Sequence, residues 1–138
     1  MGERIMRLLL ITLALLITNA CAAENQALCD TEDRYETASH FSDFVQKVNF
    51  KYAFEDIEGL SNEQIVEQVA RTDEDYRAIH NNFNVKSYFE NDNVVMLMCE
   101  GDSLIIEDAG CTAKVENVFE CGERPACALS SNAFKVCN

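Results

Sequence analysis

Cysteine, histidine and carboxylate are the side chains through which a small protein most readily does chemistry, and this sequence offers 7 Cys, 2 His and 24 Asp/Glu. The cysteines carry the clearest pattern. Cys111, Cys121, Cys127 and Cys137 are separated by nine, five and nine residues, a palindrome of spacings. No C-x₂-C pair occurs, which argues against a thiolate zinc site and against a thioredoxin-type dithiol. Disulfide chemistry remains. In an antiparallel hairpin facing residues have numbers of constant sum, and Cys111 with Cys137 and Cys121 with Cys127 satisfy one register. Positions 111 and 121 also share a face, because side chains alternate along a strand. That register sets Phe119 opposite Leu129 and Val115 opposite Ala133, plausible cross-strand partners. The spacing therefore predicts strands over 111–121 and 127–137 joined by Gly122-Glu123-Arg124-Pro125-Ala126, with Cys29 left to pair with Cys99. Against this ladder stands Ser130-Ser131-Asn132, a weak strand former. Leu129, Ala133 and Val136 would then mark a short helix, and Cys99–Cys111 could close the preceding hairpin.

The loop "CGERPAC" is the candidate binding site. Closed by its own disulfide and stiffened by proline, it would lose little entropy on docking. Glu123, Arg124 and Pro125 are its binding residues, and Arg124 is a lone cation presented by an acidic molecule. Proline directly after arginine makes a poor substrate-like junction, so inhibition of a trypsin-like enzyme would work by occlusion. The competing reading is an ordinary tight turn whose charges keep it soluble.

The remaining reactive residues form no catalytic pattern. His40 and His80 lie in helical segments, with neither G-x-S-x-G nor H-E-x-x-H nearby. The acidic stretches at 30–36, 73–75, 90–92 and 107–108 do not fit a calcium loop. A glycosidase pair of carboxylates would want aromatic sugar platforms, and the chain has no Trp. No cofactor or metal is expected, and no enzymatic activity.

These residues must be positioned by an exported chain. Arg4 and Arg7, the apolar run Leu8 to Ile17 and the small residues of "TNACAAEN" have the order of a secretory signal peptide, with cleavage after Ala22. The run is too short for a comfortable membrane span. Cys21 is a candidate for lipidation, although Thr18 stands where such signals favour Leu. Either processing route leaves six cysteines, which behind an export signal read as three disulfides in an oxidising compartment, secreted or periplasmic. From residue 23 onward 9 Lys/Arg stand against 23 Asp/Glu, a net charge of −14. That excludes the basic footprint of nucleic-acid binding and adsorption to anionic membranes, and it suits a basic protein partner or plain solubility.

Residues 23–138 read as one α+β domain. Tyr35, Ala38, Phe41, Val45, Val48 and Tyr52 recur at helical spacing. Ser61-Asn62-Glu63-Gln64 forms a capping box for a second helix carrying Ile65, Val66, Val69, Tyr76, Ile79 and Phe83. Val94–Cys99 and Ser103–Glu107 flank Gly101-Asp102 as a hairpin. Two N-terminal amphipathic helices packed on a small, disulfide-stabilised antiparallel sheet are expected. The functional expectation is an exported, non-catalytic protein-binding domain of inhibitor or immunity type. Two alternatives are a carrier of a small apolar ligand, held among Phe41, Val45, Val69, Ile79, Met96 and Met98, and a small secreted hydrolase or toxin using His40 or His80.

Overall fold

The computed structural model describes residues 27–115 and 117–138. The signal peptide over 1–22 and Cys21 lie outside them. Three helices pack on one face of a four-stranded antiparallel sheet of order β1-β2-β3-β4, an α+β architecture.

Helix α1 (Thr31–Phe54) starts where Asp30 accepts hydrogen bonds from the amides of Glu32 and Asp33, and Glu32 and Asp33 add favourable charge to its first turn. Helix α2 (Asn62–Ala70) carries the expected capping box: Ser61 Oγ accepts from Gln64 N at 3.2 Å and Gln64 Oε1 accepts from Ser61 N at 2.8 Å. The single second helix expected from the sequence is in fact two. Thr72 Oγ1 donates to the Val69 carbonyl at 2.7 Å, and Asp73 caps a new helix α3 (Glu74–Asn82) by accepting from Asp75 N at 2.8 Å. Such short polar side chains offer the backbone partners that compete with helix continuation.

Strand β1 (Asn84–Glu90) is not evident in the sequence; its five central residues are half-buried and show no alternation, and its ends are exposed. Asn91 and Asp92, at φ +48° and +62°, turn it into β2 (Asn93–Glu100). Gly101 and Asp102 then lead to β3 (Ser103–Ala109), and Glu100 pairs with Ser103. The last strand, β4 (Asn117–Val118), pairs with β3 at Ile106 and Glu107. Val94 to Cys99 of β2 are fully buried, so this strand is covered on both faces and reads as a continuous apolar run.

One cover is helical. Val94, Met96 and Met98 join Phe41, Phe44, Val45 and Val48 of α1 in the principal core. Asn49 accepts a buried hydrogen bond from Val94 N at 2.7 Å, fixing α1 against β2. At Gly110 an added Cβ would lie 2.8 Å from the Val45 carbonyl oxygen and closer still to Asn49 Cβ, so glycine permits this approach.

The other cover is a strap, residues 119–138, almost without regular structure beyond a 3₁₀ turn at Lys135–Cys137. Phe119, Leu129, Ala133 and Phe134 lie over Val95, Leu97, Cys99, Leu104 and Ala109. Three disulfides hold the chain: Cys29–Cys121, Cys99–Cys127 and Cys111–Cys137. The expected Cys111–Cys137 bridge is present, with Cα atoms 5.6 Å apart. Cys121–Cys127 and Cys29–Cys99 are not, and the predicted ladder between 111–121 and 127–137 does not form. Instead the strap pairs with the β2–β3 turn: Leu104 N donates to Pro125 O at 2.9 Å and Cys127 N to Asp102 O at 2.7 Å. Those bonds place Cys127 beside Cys99 and leave Cys121 to reach Cys29.

Candidate functional site

Arg124 was expected at an exposed loop tip, but its side chain is only 6% exposed. Its guanidinium donates to Glu100 Oε2 at 3.0 Å and to the Ala27 carbonyl at 2.6 Å. Glu100 in turn accepts from Ala27 N at 3.0 and 3.1 Å. One arginine thereby fastens the start of the described chain, the β2–β3 turn and the strap. It is occupied internally and does not project from the loop tip as expected. Glu123 and Pro125 beside it are exposed.

The histidines fare differently from each other. His40 of α1 faces α3, its Nδ1 3.3 Å from Asp75 Oδ2. One turn along α1, Asp43 accepts the hydroxyl of Tyr76. The Tyr76 ring stacks on Phe44 with centroids 5.1 Å apart. Burial first, then the hydrogen bond to Asp43 and the charges of Asp43, Asp73 and Asp75, push the Tyr76 phenol well above the ordinary tyrosine range. These polar pairs clamp α3 to α1. His80 lies in the last turn of α3. Among the described residues no group of three or more His, Cys, Asp or Glu is placed to hold a metal ion.

The residues suggested for an apolar ligand, Phe41, Val45, Val69, Ile79, Met96 and Met98, all belong to the packed principal core.

The surface feature that most needs an explanation is on α1. Phe50 is 56% exposed and Phe54 76% exposed, with ring centroids 5.3 Å apart. A single exposed apolar side chain is ordinary, but two aromatic rings held against each other in solvent form a contiguous patch. The patch borders a groove of about 210 Å³ between the end of α1 and α2, lined by Lys47, Lys51, Gln68 and Thr72 among others. Lys51 is held by Glu55 at 2.7 Å, and Lys47 is exposed. The helix presenting the pair is anchored along its opposite side by Phe41, Phe44, Val45 and Val48, so the two rings stand on a fixed scaffold. Sequence reasoning missed them because it followed the buried stripe. The available signal was their i, i+4 spacing off that stripe.

Compared with family models, curated proteins and solved structures, the chain matches none. Three disulfides are compatible with an extracellular or periplasmic location. No helix among the described residues is long and apolar enough to cross a membrane.

Proposed function

We propose that this is an exported domain that acts by holding a protein partner rather than by catalysing a reaction, and that it docks through Phe50 and Phe54. The observation that carries this reading is the pair of solvent-exposed, mutually touching phenylalanines at the end of α1. Aromatic side chains bring large apolar area at small entropy cost and recur as the central contacts of protein interfaces. Burying the still-exposed part of each ring is worth on the order of 1–2 kcal/mol. Lys47 beside them adds a positive charge on a strongly acidic molecule, which favours a partner with an apolar pocket rimmed by acceptors. Inhibition or immunity remains the finer form of this reading, now centred on α1 instead of Arg124.

The test uses oxidised protein from residue 23 to 138, immobilised and exposed to secreted and envelope proteins. A stoichiometric partner should be retained by wild type and by Glu123→Ala, and lost from Phe50→Ser/Phe54→Ser. Equal retention by the double variant would remove α1 from the interface, and no retention by any form would end the binding reading. Turnover of a polymer substrate that disappears in His40→Ala would replace it with an enzymatic one.

A further inference from the structure

Strand β3 reads Ser-Leu-Ile-Ile-Glu-Asp-Ala, an apolar strand with a carboxylate on the strap-facing side at Glu107. Glu107 is only 3% exposed. Its donors are all neutral: Ser130 Oγ at 2.6 Å and Asn117 Nδ2 at 3.2 Å to Oε1, and Ser130 N at 2.8 Å to Oε2. A carboxylate has about four acceptor sites, so Oε2 keeps capacity for a further donor. Lys86 is the nearest cation in the sheet, two strands away in the row Lys86–Leu97–Glu107, but its Nζ donates to the Cys127 carbonyl at 3.0 Å. Buried charges are normally paired with an opposite charge, because desolvation is otherwise costly.

Glu107 also lines a cleft of about 550 Å³ between the sheet and the strap. Its other walls include Phe119, Pro125, Ala128, Ala133 and Val136, and none of the described residues lining it is Lys, Arg or His. The volume is in the range of small-molecule sites, which combine apolar walls with a few fixed polar groups. The −14 charge of the chain from residue 23 onward further raises the local concentration of cations.

We propose that this cleft binds a small molecule bearing an ammonium group on an apolar body, with the ammonium donating to Glu107 and the body lying between Phe119 and Ala128. The site is on the opposite face of the sheet from α1 and does not depend on the docking role of Phe50 and Phe54.

Tryptamine is the probe, compared with its neutral analogue tryptophol and the anionic indole-3-acetate, by titration of ¹⁵N-labelled oxidised protein. Tryptamine should shift the amides of Ala126, Ala128, Ser130 and Ala133 along a saturable curve, at least about tenfold tighter than tryptophol, a difference of about 1.4 kcal/mol. Indole-3-acetate should not saturate. Glu107→Gln should bring tryptamine down to the affinity of tryptophol. Because Glu107 also holds Ser130, Ala128→Trp provides an independent variant: exposed Ala128 lines the cleft, and the added ring should block tryptamine while the three disulfides form normally. Equal binding of tryptamine and tryptophol, a charge preference that survives Glu107→Gln, or undiminished binding to Ala128→Trp would each overturn the proposal.

Discussion

The two faces of the sheet are covered by opposite means. On one face α1 supplies a stripe of apolar side chains whose backbone hydrogen bonds are already satisfied within the helix. Phe41, Phe44, Val45 and Val48 are completely buried there. On the other face the strap has little regular structure, and its backbone must find partners one at a time, at Asp102, Leu104 and Glu107. All three disulfides end in or at the strap, through Cys121, Cys127 and Cys137. The apolar helix face is held chiefly by burial, with a few polar bonds such as Val94 N to Asn49 added to it. The irregular cover is fastened by covalent and ionic links, and a cleft lies beneath it.

The sharpest way to break this comparison is to remove a large side chain from the helical face. Phe41→Ala should cost about 3–5 kcal/mol, the range for deleting a buried aromatic. Phe119→Ala on the strap face, where the ring is half-buried, should cost clearly less. Urea unfolding of both variants measures the difference, and equal losses would contradict the assignment of stability to the helical face.

Next in size is the covalent fastening. Replacing Cys99 and Cys127 by serine opens a bridge between residues 28 apart and should cost about 2–4 kcal/mol. The loss should be uneven: amides of the strap should exchange with solvent much faster, while those of α1 should change only by the global loss of stability. Uniform acceleration in both regions would show that the two covers unfold as one unit.

Arg124 tests the ionic fastening on a smaller scale. Arg124→Ala should leave Glu100 with a weakened network and cost about 1–3 kcal/mol, while capture of a partner through α1 stays intact. If Arg124→Ala abolished capture without destabilising the fold, the loop would regain the binding role that its burial argues against.

The two faces were also unequally legible in the sequence. The helical face could be read because its signals are local: the stripe from Ala38 to Val48, the capping box at Ser61 and the turn at Gly101. Short-range chemistry also determined the main departure there, since Thr72 and Asp73 end one helix and begin another through bonds to near neighbours. The strap could not be read in this way. The mirrored cysteine spacing suggested a local hairpin, yet Cys29 and Cys121 are 92 residues apart in the chain. Arg124 looked exposed because its partners, Ala27 and Glu100, are equally remote. Only Cys111–Cys137 was anticipated. Phe50 and Phe54 were plain in the sequence but invisible to a search for buried periodicity. Glu107 gave no sign that Ser130 and Asn117 would enclose it.

The smallest effect comes from the helical layer and is confined to alkaline solution. Tyr76 is nearly buried, its ring lies on Phe44 and its hydroxyl donates to Asp43. Desolvation, and then the Asp43 carboxylate, oppose formation of a phenolate, so the folded protein retains this proton beyond the ordinary tyrosine value of 10.0. At neutral pH the phenol is protonated in both states and its titration contributes no pH dependence. As pH rises past 10.0 the unfolded chain ionises first, unfolding releases a proton, and stability falls until the folded phenol ionises as well. At about pH 11 the loss from this one group should be on the order of 1 kcal/mol relative to neutral solution. Tyr76→Phe keeps the ring on Phe44 but has no proton to lose, so its stability should decline less over the same interval. Parallel declines in wild type and Tyr76→Phe would mean that the Tyr76–Asp43 hydrogen bond adds nothing to the hold of α3 on α1, leaving that role to packing on Phe44 and to the His40–Asp75 pair.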